Sequence, residues 1–196
     1  MDKKIIIKEI VNVSHYIYEK GLVPGKSGNI SCRFYENGAS KVAITRSGIS
    51  KRFVSGEDII IIDMDGNVLE GDKKPSMETF LHLNVYNERN DINGIVHSHS
   101  PFAAGFSMSD KKLKRLEGFG PVENPYIPSV KYSKPGSAEL AKDAAEMMKN
   151  EDAVILKNHG VIAAGVNLDE AALLAEFIED IAKTQTIAHI LSLDPD

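Results

Sequence analysis

His97 and His99, in Gly94-Ile95-Val96-His97-Ser98-His99-Ser100, are the residues whose type and spacing first suggest chemistry. The apolar lead-in reads as a strand, and residues two apart on a strand point to the same face. Two imidazoles can therefore reach one metal ion from one side. A third, His159, follows a second apolar run, Ala153 to Leu156, within Lys157-Asn158-His159-Gly160. Three imidazoles and an open position make a catalytic metal arrangement. A structural zinc site would more often use thiolates, and Cys32 is the single cysteine. Glu78 is the candidate carboxylate, as a fourth ligand or as a base. His82 lies four residues further along and shares a helix face with Glu78, but it reads as a packed helix residue and not as a ligand.

The surrounding pattern shows what must position these groups. Apolar residues at Ile6, Ile10, Val13 and Ile17 have helical spacing, and Gly21 fits the position just past a helix end. Pro24, Gly25 and Gly28 form a loop before a strand from Ile30 to Phe34. Glycines there let backbone N–H groups approach an anion, though an ordinary turn has the same composition. Val42 to Thr45 reads as a strand that runs into Arg46-Ser47-Gly48. Ser55 reads as a cap, and Ile59 to Asp63 as a buried strand joined by Asp65-Gly66 to a partner. Ser76 is the expected N-cap of a helix reaching about Arg89, which puts Glu78 in its first turn, where a carboxylate suits the helix dipole. Pro101 opens a short helix to Met108. Residues 109–125 are charged and punctuated by Gly and Pro, which marks a mobile segment able to cover a site. Ser137 caps a helix to about Lys149, Val161 to Ala164 pair with the strand before His159, and Asn167 with Glu170 resembles a capping box before a long helix to Leu191.

Composition excludes several function classes. With 196 residues, 42% of them hydrophobic, the chain is expected to form a single domain, 1–196, with a substantial core. A net charge of −5 without a run of Lys or Arg leaves no nucleic-acid footprint, while a local site can still be positive. No stretch approaches a membrane span, and Lys8 and Glu9 interrupt the apolar N-terminal run before a signal core forms. One cysteine cannot make an internal disulfide, so the expected compartment is the cytoplasm.

Five pieces in order, Gly28-Asn29-Ile30-Ser31, Thr45-Arg46-Ser47-Gly48, Pro75-Ser76-Met77-Glu78, His97-Ser98-His99 and Asn158-His159-Gly160, resemble the class II aldolase/adducin family over nearly the whole chain. The resemblance implies an α/β fold, a three-layer α/β/α sandwich around a mainly antiparallel sheet. It implies a homotetramer with active sites at subunit contacts and a small-molecule sugar phosphate as substrate. His97, His99 and His159 match the family's zinc ligands, and Glu78 its acid/base and resting-state ligand. Gly28, Asn29, Ser47, Gly48 and Ser76 match its phosphate-binding positions. Tyr126 is the candidate for a proton donor supplied by a neighbouring subunit. Met77 stands where relatives often carry a second serine, and the chain ends soon after its last helix, so a tail reaching the neighbour's site is not expected. The implied reaction is zinc-dependent cleavage of a ketose 1-phosphate. The alternatives are a pentulose-phosphate 4-epimerase, a methylthioribulose-phosphate dehydratase, a Schiff-base enzyme using Lys157, and a non-catalytic adducin-like protein.

Overall fold

Four consecutive isoleucines in an antiparallel strand require cover on both faces, and the fold supplies it. The structure is a computed structural model that describes residues 2–116 and 124–193. Its single described sheet contains β1 (Asn29–Glu36), β2 (Ala39–Thr45), β3 (Ile59–Asp63), β4 (Val68–Glu70), β5 (Gly94–Ser98), β6 (Ser129–Val130), β7 (Ala153–Leu156) and β8 (Gly160–Gly165), in the order β4-β3-β2-β1-β5-β8-β7-β6. Every pairing is antiparallel except β6 with β7. Among the described residues five α-helices flank it: α1 (Lys3–Glu19), α2 (Thr79–Glu88), α3 (Pro101–Ser107), α4 (Ala138–Met148) and α5 (Leu168–Leu191).

Strand alternation sorts the core into two halves. Ile59, Ile61, Val96, Ile155 and Val161 pack with Ile6, Ile10, Ile17, Ala175 and Ile178 of α1 and α5. Ile60, Ile62, Ile95, Val154 and Ile162 pack with Leu83, Tyr86, Leu140 and Met148 of α2 and α4. The result is the expected α/β/α sandwich with a mainly antiparallel sheet. Burying a side chain such as Ile60 or Ile162 contributes about 1.5–3 kcal/mol.

Local chemistry sets the helix ends. Asp2, Ser137 and Asn167 each accept a backbone N–H at an N-terminus, from Lys4, Leu140 and Glu170. α1 ends as the sequence indicates: Gly21 has φ +74°, its N–H donates to Tyr18 O, and Leu22 N–H donates to Ile17 O. At α2 the expectation needs correction. The helix begins at Thr79, so Ser76 is not its N-cap residue and Glu78 is not in its first turn. Ser76 Oγ does accept the Glu78 N–H at 3.2 Å, as a cap would. Glu78 itself sits at φ −101°, ψ 20°, in the sparsely allowed region between helix and strand, and ends a separate turn.

Of the segment read as mobile, residues 117–123 lie outside the described residues. Its flanks are fastened. Arg115 N–H donates to Pro125 O, Ile127 N–H donates to Leu113 O, and Gln185 of α5 bonds both the N–H and the C=O of Lys114. Leu113 is fully buried. Among the described residues no helix is long and apolar enough to cross a membrane.

Candidate active site

β5 runs through the middle of the sheet between β1 and β8, which makes His97 fully buried. Its Nδ1–H donates to Val161 O at 2.9 Å. That bond fixes the tautomer and leaves the Nε2 lone pair facing the cleft. β5 stops at Ser98, so His99 lies just past the strand, where its N–H donates to Leu22 O at 3.0 Å. His159 comes from the tight connection between β7 and β8. Leu156 pairs with Gly160, and Asn158 takes up a left-handed φ of 56°, which asparagine tolerates better than most residues.

These three origins converge. His97 Nε2 lies 2.9 Å from His99 Nε2 and 3.2 Å from His159 Nε2. Tetrahedral ligand nitrogens around a zinc ion stand about 3.3 Å apart. Three imidazole nitrogens gathered with at least one lone pair aimed inward gain little from one another, whereas a shared cation satisfies all three. Glu78 closes the fourth side. Its Oε2 is 3.2 Å from His97 Nε2 and its Oε1 is 3.3 Å from His159 Nε2, and Oε1 is a buried oxygen without a hydrogen bond among the described residues. The donor set therefore fits a divalent cation, with His97, His99 and His159 as a group able to hold it.

Electrostatics distinguish the three rings. Burial pushes the His99 pKa down to about 3 and that of His159 to about 4, and the neighbouring His97 adds to both, which keeps their lone pairs free. Burial would lower His97 too, but the Glu78 carboxylate outweighs it and holds His97 above its ordinary value. Burial opposes ionisation of Glu78. The facing His97 and His159 rings and the Asn29 amide override that and keep it below the usual carboxylate range.

A cleft of about 380 Å³ opens over the histidines, bounded by Gly28, Asn29, Ser47, Gly48, Ser76 and Glu78 together with His99 and His159. The structure thus gathers the five residues matched to phosphate positions beside the three histidines. Gly28 has φ +69°, and a Cβ on it would stand 2.6 Å from His97 O, so only glycine lets this loop lie against the ligand strand. Tyr126 is placed elsewhere. It borders a separate cavity of about 840 Å³ between α3 and α5, with the Lys112 ammonium 5.5 Å from its ring centroid. Lys157 is turned away as well, and its Nζ donates to Ser109 O.

Lys51 was not found from sequence, while His82, read there as a packed helix residue, is packed as expected and has both ring nitrogens engaged. Lys51 also bounds the cleft. It is 1% exposed, donates to Ile49 O at 3.2 Å, and burial with the nearby Arg46 pushes its pKa down to about 8. Nothing in the stretch Ser50-Lys51-Arg52 distinguishes it from a surface lysine. His82 is fully buried and hydrogen-bonded at both ring nitrogens, to Ser31 Oγ and Asn29 Oδ1. The signal for it was its four-residue spacing from Glu78.

Comparison with known proteins agrees with this arrangement. The Class II Aldolase and Adducin N-terminal domain matches residues 8–186. An L-fuculose phosphate aldolase of Methanococcus maripaludis is 35% identical over 185 residues, 94% of this chain and 98% of the relative. A 5-deoxy-D-ribulose 1-phosphate aldolase of Bacillus thuringiensis serovar kurstaki is 38% identical over 176 residues, 90% of this chain and 82% of the relative. A solved L-fuculose 1-phosphate aldolase superposes with a TM-score of 0.85 at 31% identity, covering 97% of this chain and 89% of its own. The chain belongs to the class II aldolase and adducin family.

Proposed function

We propose that the protein is a zinc-dependent aldolase that reversibly cleaves a ketose 1-phosphate to dihydroxyacetone phosphate and an aldehyde. L-Fuculose 1-phosphate, giving L-lactaldehyde, is the first substrate to test. The observation that carries this reading is the convergence of three imidazole nitrogens and one carboxylate at the floor of a cleft bounded by glycines, hydroxyls and a buried lysine. Two relatives bear the names of sugar-phosphate aldolases acting on different sugars, which leaves the aldehyde half open.

His97, His99 and His159, with Glu78 in the resting state, would hold a divalent cation, which would supply positive charge to stabilise the negative charge developing on the substrate. In cleavage the C3–C4 bond breaks and its electron pair enters the enediolate, while the C4 hydroxyl loses its proton and leaves as the aldehyde. C3 is then protonated. Glu78 carries the C3 proton, removing it in the condensation direction. Backbone N–H groups and hydroxyls at Gly28, Asn29, Ser47, Gly48 and Ser76 hold the phosphate. Lys51, buried without a carboxylate among its described partners, supplies the counter-charge. Tyr126, contributed across a subunit contact of a homotetramer, exchanges the proton of the C4 oxygen.

The test is a product assay on metal-stripped protein reconstituted with zinc and given a panel of ketose 1-phosphates. Release of triose phosphate, abolished by chelator and restored by zinc, is the expected result. Retention of five carbons with inversion identifies an epimerase, loss of water identifies a dehydratase, and borohydride trapping on a lysine identifies a Schiff base. Each of the three overturns the proposal. Lys51→Met should raise KM for the phosphorylated substrate at least about tenfold with the fold intact, the loss expected for one charge-assisted hydrogen bond.

A further inference from the structure

Glu78, His82 and Tyr86 are spaced four residues apart from the N-cap of α2 through its second turn. Four helical residues rise about 6 Å, and two strand residues rise about 6.6 Å. That near-match lets this face of α2 engage alternate residues of β1, Asn29 and Ser31, in one continuous file. Tyr86 Oη is 2.8 Å from Ser31 Oγ, Ser31 Oγ is 2.6 Å from His82 Nδ1, His82 Nε2 is 2.5 Å from Asn29 Oδ1, and Asn29 Nδ2 donates to Glu78 Oε2 at 2.8 Å. All five residues are buried.

The direction of every bond follows from its last member. A carboxylate only accepts, so Asn29 must present its NH2 to Glu78 and its carbonyl to His82. His82 Nε2 must then carry hydrogen. His82 is fully buried with its ring nitrogens on Asn29 Oδ1 and Ser31 Oγ, so the Nε2–H tautomer leaves Nδ1 as acceptor and Ser31 spends its one hydroxyl hydrogen on it. The two ends of an asparagine amide are nearly the same size, so packing alone does not choose between them.

We propose that His82 is a positioning residue: as the Nε2–H tautomer it locks the Asn29 amide so that an N–H, never a carbonyl, faces Glu78 and the cleft. Without that lock Asn29 can turn its oxygen toward Glu78. The repulsion then displaces the carboxylate from its place beside the histidines and removes a donor from the phosphate-binding rim. This inference rests on the function proposed above for its kinetic consequence, but not for its structural content.

Two measurements test it separately. In histidine-labelled protein, metal-free and zinc-loaded, long-range proton–nitrogen correlation spectra should show His82 as the neutral Nε2–H tautomer at neutral pH. An Nδ1–H tautomer or a cationic ring overturns the proposal, whether or not the protein cleaves any sugar phosphate. Kinetically, two amide variants differ by one methylene. His82→Gln places an N–H at the Nε2 position and should keep kcat within about threefold. His82→Asn reaches only Ser31 and should lower kcat about tenfold or more, the scale on which hydrogen-bonded supports orient site residues. A fall in His82→Gln equal to that in His82→Asn, or wild-type turnover in His82→Asn, overturns it. Absence of aldolase activity in the wild type would refute the proposed reaction and leave the tautomer result standing.

Discussion

Gly160 follows the third histidine and pairs with Leu156 on one side while lying against β5 on the other. A Cβ at this position would stand 2.2 Å from Ser98 O, 3.3 Å from Ser98 C and 3.4 Å from His97 Cε1. A carbon–oxygen contact needs about 3.3 Å. In Gly160→Ala, β8 must therefore move roughly 1 Å from β5 at the point where one strand carries His97 and the other begins just after His159. Metal–ligand distances tolerate only about 0.2 Å. The displacement exceeds that several-fold, so the expected outcome is a loss of zinc affinity of about 10- to 100-fold, or roughly 1.4–2.7 kcal/mol. Overpacking should cost a further 1–3 kcal/mol or so of folding stability. The assay is competition for zinc against a chromophoric chelator, with the cobalt(II) absorption spectrum reporting ligand geometry. Gly105→Ala is the control. Gly105 lies in α3 with no atom of the described residues within 4 Å of its would-be Cβ, and alanine there should raise stability by about 0.5–1 kcal/mol without altering affinity. Folded Gly160→Ala protein with wild-type zinc affinity and an unchanged cobalt spectrum would refute the argument that strand spacing sets the ligand positions.

Other tests follow from the same structure. Glu78→Gln removes the proton carrier while preserving shape and the Asn29 contact, so kcat should fall at least about 100-fold, within the range of general acid–base contributions; undiminished turnover would remove Glu78 from the proton transfer. Cys32 is buried, and burial together with Glu9 pushes its thiol up to about 12, so native protein at pH 8 should resist iodoacetamide for hours while urea-unfolded protein reacts within minutes. Asp58 bonds to Arg46, Ser55 and Lys73, and these override burial to hold its pKa well below the usual value. A carboxyl depressed in the folded state stabilises above its unfolded pKa of about 3.9, and that contribution disappears as pH falls through the folded value. Denaturant titrations from pH 6 to pH 2 should therefore show a shallower acid loss in Asp58→Asn than in wild type; identical slopes would count against the assignment.

Much of this architecture was legible in the sequence because its signals are local. Ile59 to Ile62 read as a strand covered twice, and the two histidines one residue apart after Ile95-Val96 read as sharing a face, although His99 lies just past the strand and is held by Leu22 O. The start of α2 was misread because Ser76 accepts the Glu78 N–H two residues on, as a cap does, while the backbone at Glu78 leaves the helical region. That departure is conformational and has no composition signal. The burial of Lys51 and the ring partners of His82, Ser31 and Asn29, depend on β1, β2 and α2 meeting in space, so neither could be read from neighbours in sequence. The fastening of Lys114 by Gln185 was hidden for the same reason: 71 residues separate them.

The backbone bond from His99 to Leu22 has a consequence for assembly of the molecule. Leu22 also completes the terminating turn of α1, so one donor atom of the trio is secured by the opening helix, another by the central strand and the last by a hairpin near residue 159. Ion capture should therefore come late, after remote parts of the polypeptide have met. Tight uptake of the ion during refolding would report completion of the whole tertiary structure, and a species with an undocked N-terminal helix would grip it with only two rings.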